Sequence, residues 1–343
     1  MPTEHRLRAI KAGAEAALLT IGKELEALYS HPGRPSLAPE RLLKGQLLIA
    51  LYRIRSDRAF CEQLDYNLLS RWFLEMSLDE AGLNQSHCSR LRTRVVKSTV
   101  ARRFFNAVRA QAKAEGLLLT SHFTVDGTLV EALASLKSLK RRDDDHPSAP
   151  GGDGSGMRDF KGERRTNATQ ASTTDPAAKW MRTGNGQPAK LSYGAQARMD
   201  NRQGLCTALE VTDATVPEHR LAARLWAHTR QRRWQLKTVG GDQGYCVRTF
   251  IAGGRERAIA PPVARIEGRK TPGLDGRTPR HESDPISQRK RQRIEELCGW
   301  LKTYGGLRKT RFVGQARVPL HATLAACAYH LLRMAKLAPI HAT

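Results

Sequence analysis

"HFTVDGTLVEA" (122–132) is the stretch on which the fold turns. Apolar residues alternate into Asp126-Gly127 and alternate again beyond it. A period of two marks a strand with one buried face. Asp-Gly between two such runs is also a strong short-range hairpin signal. Standing alone, the stretch reads as two short strands joined by a turn. The competing reading is an extended segment whose Asp126 is a working carboxylate at a strand end. Residues elsewhere in the chain have to decide between them.

The pattern occurs a second time. In "TVGGDQGY" (238–245) an apolar strand again runs into an aspartate, Asp242, followed one residue later by glycine. One such aspartate is an ordinary turn residue. Two at the ends of separate strands suggest a shared site, because ligands gather at the carboxyl ends of strands in α/β sheets. A third carboxylate is available on the helix read in "SDPISQRKRQRIEELCGWLKTYGG" (283–306). At about 100° per residue, Ile294, Leu297, Cys298 and Leu301 share one side and should face the sheet. Glu295 lies on the flank of that side, in line with Arg291 and Lys302, and Glu296 points nearly opposite. Glu295 is therefore the candidate ligand, the plain alternative being a solvent-facing partner of Arg291. Three carboxylates suit Mg²⁺, which takes hard oxygen ligands, whereas histidine and cysteine would suit zinc. Residues 289–311 carry eight Arg or Lys against two Glu, a charge balance that suits phosphate.

The bulk composition agrees. The chain has 343 residues, 57 Lys+Arg against 33 Asp+Glu, and a formal net charge of +24. Such an excess favours polyanions, nucleic acid first among them. With 40% hydrophobic residues a sizeable core can form. The six cysteines are far apart with no CxxC, which disfavours a zinc ribbon, and they read as reduced thiols of a cytoplasmic protein. No apolar run approaches the ~18 residues that a spanning helix needs, so no membrane association is expected.

Along the chain, residues 1–116 read as an all-helical N-terminal domain for DNA binding or dimerisation, and 117–343 as a mixed α/β domain. Leu7, Ile10, Ala14, Leu18, Ile21, Leu25 and Leu28 mark a first helix face, and "HPGRPS" (31–36) breaks it. Leu43, Leu47, Leu51 and Ile54 mark the next, Ser56 can cap a short helix over 57–64, and 65–76 and 86–115 supply the rest before Gly116 stops them. The short helices followed by "SRLRTRVVK" (89–97) fit a helix-turn-helix reader as well as a plain bundle with a basic surface. Strands follow at 117–125, on either side of "DNRQG" (200–204) as a hairpin, at "QLKTVGGD" (235–242) and at "RAIAPPV" (257–263), with a helix over 217–230. A flexible basic and Gly-rich loop is expected at 140–165. The final long helix is expected to be capped by Asp284 and ended by Gly305-Gly306.

Five stretches in order carry a resemblance: "GRPSLAPERLLKGQLLIALYRIRSDRAFCEQLDYNLLSRWF" (33–73), "FTVDGTLVEALASLKS" (123–138), "RRTNATQASTTDPAAKW" (164–180), "GGDQGY" (240–245) and "RIEELCGWLKTYGGLRKTR" (293–311). Together they resemble the DDE-type transposases of bacterial insertion sequences, in the insertion sequence five group. The resemblance implies a ribonuclease-H-like mixed sheet with flanking helices, preceded by an all-helical N-terminal domain. It places the family's DDE triad on Asp126, Asp242 and Glu295 as catalytic residues and metal ligands. The family's Arg–Glu–Lys signature falls on Arg291, Glu295 and Lys302, with Gln288 where the broader signature has tyrosine. Gln243 stands where lysine is usual, and His330 where asparagine is.

The activity implied is Mg²⁺-dependent cleavage at the terminal inverted repeats followed by strand transfer, with two Mg²⁺ ions and Mn²⁺ as a substitute. Arg291, Lys302, Arg293 and Lys309 would contact DNA phosphates. The implied partners are the element's ends, target DNA and a second copy of the chain in a homodimeric synaptic complex. Two other functions fit the same residues: a DNA-binding protein derived from a transposase with impaired catalysis, and a structure-selective nuclease on the same fold.

Overall fold

A computed structural model of the chain describes residues 1–29, 38–118, 121–142, 166–182, 184, 186–230, 236–264 and 283–337. The "HPGRPS" break and all of the expected loop beyond residue 142 up to 165 lie outside them.

Seven helices come first: α1 (Leu7–Leu19), α2 (Gly22–Glu26), α3 (Pro39–Leu51), α4 (Asp57–Tyr66), α5 (Leu68–Leu74), α6 (Gln85–Lys97) and α7 (Val100–Ala114). Local chemistry sets several of their ends. Ser56 caps α4 by accepting from the Ala59 N–H at 3.0 Å, and Asn67 caps α5 by accepting from Ser70. Gly116, at φ +68°, turns the chain out of α7 as expected. The single first helix expected over Leu7–Leu28 is instead two. Thr20 bonds its own hydroxyl to the Ala17 carbonyl, Ile21 leaves helical geometry at φ −115°, and Gly22 restarts the chain.

The sheet begins with β1 (His122–Glu131), and here the hairpin reading fails. Both halves of the stretch pair with the same partner, β5 (Lys190–Asp200), in one unbroken antiparallel register that includes Asp126↔Ala197 and Gly127↔Gln196. A partner of 11 residues fills the whole length of β1, and that pairing overrides the local turn preference of Asp-Gly. Asp126 consequently sits in the middle of β1 rather than at its end.

Next come β2 (Leu139–Arg141) and β3 (Gln170–Ser172), which pair with each other, so Lys140 and Arg141 belong to a strand and not to the expected loop. β4 (Lys179–Met181) and β6 (Cys206–Asp213) both pair with β5. The β5–β6 hairpin is the one read in "DNRQG": Gly204 takes φ +73° and its N–H donates to the Asp200 carbonyl at 3.1 Å. α8 (Glu218–Arg230) leads to β7 (Thr238–Gly240), which lies parallel to β1. The described sheet therefore runs β4-β5-β1-β7 with β6 on β5. "RAIAPPV" contributes only isolated bridges, Ala260 to Thr238 and Val263 to Gly241, because its prolines withhold N–H donors.

α9 (Arg248–Arg255), α10 (Ser283–Thr303) and α11 (Arg317–Leu337) are the remaining helices among the described residues. α10 already includes Ser283, so Asp284 stands inside its first turn and not at a cap. Nor is α10 the last helix. α11 is buried on almost every side, from Val318 through Met334, and so shows no single apolar stripe to announce it.

Alternation along β1 divides the layers. Phe123 and Val125 point to one face, where they pack with Ala222 and Leu225 of α8, Val239, Tyr245 and Phe250. Val130 points to the other face and joins a larger core. That core takes in Ile294, Leu297 and Leu301 of α10, much of α11, and the N-terminal helices through Leu43, Leu47, Phe104 and Val108. The result is a mixed sheet between two helical layers, the ribonuclease-H-like arrangement, with the N-terminal helices continuing one layer.

Candidate active site

Pairing register positions the two aspartates. β1 and β7 are parallel, with Phe123 opposite Val239 and Thr124 opposite Gly240. Two residues further on each chain stand Asp126 and Asp242, with the same parity and therefore on the same face. Neighbouring strands lie about 4.8 Å apart, so the register places these carboxylates side by side. That face is the one covered by α10. Gly240 lets α10 come close, since a Cβ there would collide with the Ser287 hydroxyl and lie 3.4 Å from the Pro262 carbonyl oxygen.

The helical-face argument for α10 holds in its packing. Ile294, Leu297, Cys298 and Leu301 are all buried. Cys298 Sγ stands 4.0 Å from Asp126 Oδ2, so this face of α10 rests on the Asp126 side chain. Glu295 is one turn before Cys298 and exposed at the rim, close enough for its charge to act on Asp126. Glu296 points away and pairs with Arg333 of α11 at 3.7 Å.

The electrostatics are unusual for a protein so rich in cations. Burial first, then the charges of Asp242 and Glu218, push the Asp126 carboxyl up from 3.8 to about 7, and Glu295 adds to the push. The Gly127 N–H, which donates to Asp126 Oδ1 at 2.9 Å, offsets this in part. Asp242 Oδ1 accepts from the Gly244 N–H at 2.9 Å and caps the short 3-10 turn Gln243–Tyr245. Burial raises Glu218 as well, with Asp242 contributing. No lysine or arginine forms an ion pair with Asp126, Asp242, Glu218 or Glu295 among the described residues.

The four carboxylates supply only hard oxygen donors and leave their charge uncompensated, which fits a divalent cation such as Mg²⁺. Among the described residues no three His, Cys, Asp or Glu side chains already converge on one cation position. Each aspartate also accepts from a backbone amide, Gly127 N–H for Asp126 and Gly244 N–H for Asp242.

The basic candidates separate into two groups. Arg291 and Lys302 share the α10 flank of Glu295 by spacing, and Arg291 Nε is buried with no hydrogen-bond partner among the described residues. Lys302 is close enough for its charge to bear on Cys298. Arg293 lies on the other flank: it donates to the Arg202 carbonyl and lines a cavity of about 590 Å³ with Arg289, Lys290 and Glu296. Lys309 pairs with Glu131 at 3.4 Å, beyond the far end of β1, and is not brought to the carboxylates by any described contact.

Glu218 escapes a reading of the sequence. It follows Pro217 in "VPEH", where an acidic residue in the first turn of a helix is expected for the helix dipole alone. Only the fold brings it beside Asp126.

Residues 120–331 match the family model described as Transposase DDE domain, and residues 1–94 match the one described as Transposase domain (DUF772). No curated protein and no solved structure matches.

Proposed function

This chain belongs to the transposase DDE domain family, and from that premise we propose that Asp126, Asp242 and Glu295 form the centre at which it cleaves and joins DNA strands. The observation that carries the reading is the parallel register of β1 and β7, which sets Asp126 beside Asp242 under the helix that bears Glu295. The DNA is the terminal inverted repeat of an insertion sequence of the insertion sequence five group, bound by a homodimer in the synaptic complex.

The three carboxylates would hold two Mg²⁺ ions, with Mn²⁺ as a substitute, and these would supply the charge that phosphodiester transfer draws on. The protein's own residues position and neutralise. Arg291 and Lys302 take the phosphates next to the scissile bond, and the buried Arg291 Nε gains there the acceptor it lacks. Arg293 and Lys309 take phosphates further along the strand. Cys298 and the apolar row of α10 keep water from the inner side of Asp126. Water attacks the phosphodiester at the element's end, leaving a 5′-phosphate and a free 3′-hydroxyl, and that hydroxyl attacks a phosphodiester of target DNA, joining to its phosphorus and expelling the target strand's 3′-hydroxyl. Both steps are in-line phosphoryl transfers, so catalysis is positioning and charge stabilisation.

The test is Asp126→Ala assayed with Mg²⁺ on repeat-end DNA. Cleavage should be abolished while repeat binding stays nearly parental. A variant that cleaves at the parental rate would show that the centre lies elsewhere.

A further inference from the structure

The triad leaves a fourth carboxylate in the same pocket without a role. Glu218 is the first residue of α8, and α8 covers the face of the sheet opposite α10. Leu221, Ala222 and Leu225 bury that helix and fix its start beside β1. From there the Glu218 carboxyl turns onto the α8 face of β1. It does so at Gly127, whose parity points to the α8 side. A Cβ at residue 127 would lie 2.5 Å from Glu218 Cδ, so any side chain there would displace the carboxyl. Gly127 thus leaves a hollow on the α8 face of β1, and the Glu218 carboxyl fills it. The other carboxyl oxygen turns toward Asp242: a Cβ at Gly244 would meet both Asp242 Oδ1, at 3.1 Å, and Glu218 Oε2, at 3.8 Å.

No hydrogen bond or ion pair holds Glu218 there among the described residues. Glu218 is exposed, yet its carboxyl turns onto β1 beside Asp242 instead of out to water. The helix dipole favours a negative charge at this end of α8, but it does not direct that charge onto a strand toward other carboxylates.

From this geometry we propose that Glu218 is a fourth carboxylate ligand of the divalent-cation centre, standing beside Asp126 and Asp242 on the α8 side over the hollow at Gly127, as Glu295 reaches them from the α10 side. The inference rests on the reading of Asp126, Asp242 and Glu295 as a cation site. It goes beyond that reading because it makes one of the two ions depend on a residue outside the triad, and on the absence of a side chain at position 127.

Equilibrium binding of Mn²⁺ to the full chain, counted by the loss of the free-ion paramagnetic resonance signal, tests it without reference to activity. The parent should take up two ions. Glu218→Gln should keep one and bind the second about tenfold or more weakly. Asp126→Asn should weaken both.

Glu218→Asp keeps the charge and withdraws the carboxyl by one methylene. It should also weaken the second ion, about fivefold or more, if the contact is direct. Parental binding of two ions by Glu218→Gln, with loss in Asp126→Asn, overturns the inference and leaves the centre standing. Parental binding by Glu218→Asp reduces Glu218 to a source of field and likewise overturns it. Parental binding by Asp126→Asn removes the centre itself and the inference with it. Should Glu218→Gln fail to fold, Gly127→Ala fills the hollow without removing a carboxylate and is expected to lose the same ion.

Discussion

Asp126→Asn should stabilise the cation-free protein, and by an amount that grows with pH. The carboxyl titrates at about 7 in the folded chain against 3.8 ordinarily, because it is buried and faces Asp242 and Glu218. Below about pH 4 the folded and unfolded chains both carry the proton, and asparagine has no advantage. Between about pH 4 and 7 the unfolded chain ionises while the folded one does not, so the parent loses stability as pH rises. Above about 7 the folded carboxylate is charged too, and the loss is complete.

The interval spans roughly three tenfold steps at about 1.4 kcal/mol each, a ceiling of about 4 kcal/mol. Water at the open mouth of the pocket screens part of this, and about 2 kcal/mol is the working figure. Urea unfolding of both proteins in a chelator, near pH 4.5, 6 and 8, reads the difference directly. The gain should be about a quarter of its full size in the first and full in the last. An asparagine variant no more stable than the parent near pH 8, or one equally favoured at every pH, would refute the charge crowding from which the site is argued.

Mg²⁺ uptake should expel the proton that Asp126 holds near neutrality, so the apparent affinity should fall below about pH 7 and calorimetry in buffers of different ionisation heat should report proton release; an affinity level from about pH 5.5 to 8 would contradict it. Glu295→Ala should abolish cleavage of repeat-end DNA, whereas Glu296→Ala should leave it intact and cost under about 1 kcal/mol, the worth of an exposed pair with Arg333; equal loss in both would mean that α10 presents the other flank. Tyr193→Phe should cost about 2 kcal/mol in thermal unfolding, because its hydroxyl donates at 2.6 Å to the fully buried Asp175 and accepts from the Gly314 N–H at 3.1 Å; an unchanged melting temperature would show that the Asp175 oxygen finds another donor.

What could be read in the sequence was whatever depends on local spacing. Alternation around Asp126 and again before Asp242 marks two strands, and the 3.6-residue period of α10 separates Glu295 from Glu296 before any tertiary contact is known. What could not be read depends on a partner. Asp-Gly looks like a turn until an 11-residue β5 is laid along it. Glu218 looks like an ordinary first-turn acid until the pairing of β1 shows which side Gly127 opens to. α11 is apolar on nearly all sides, so the periodicity that reveals a surface helix is missing where burial is most complete.

α11 also has a consequence for how the protein comes into being. It packs on α1, α3 and α7 as well as on β6, so the core of the N-terminal helices is closed by the chain's last described helix. Some 200 residues separate the end of α7 at Ala114 from the start of α11 at Arg317. At 5–20 residues per second, the apolar faces of α3 and α7 await their cover for roughly 10–40 s on the ribosome. The N-terminal helices therefore cannot mature ahead of the carboxylate centre. A chain released before α11 would leave that core open, and premature termination would yield aggregation or degradation rather than a free N-terminal fragment competing for the same DNA.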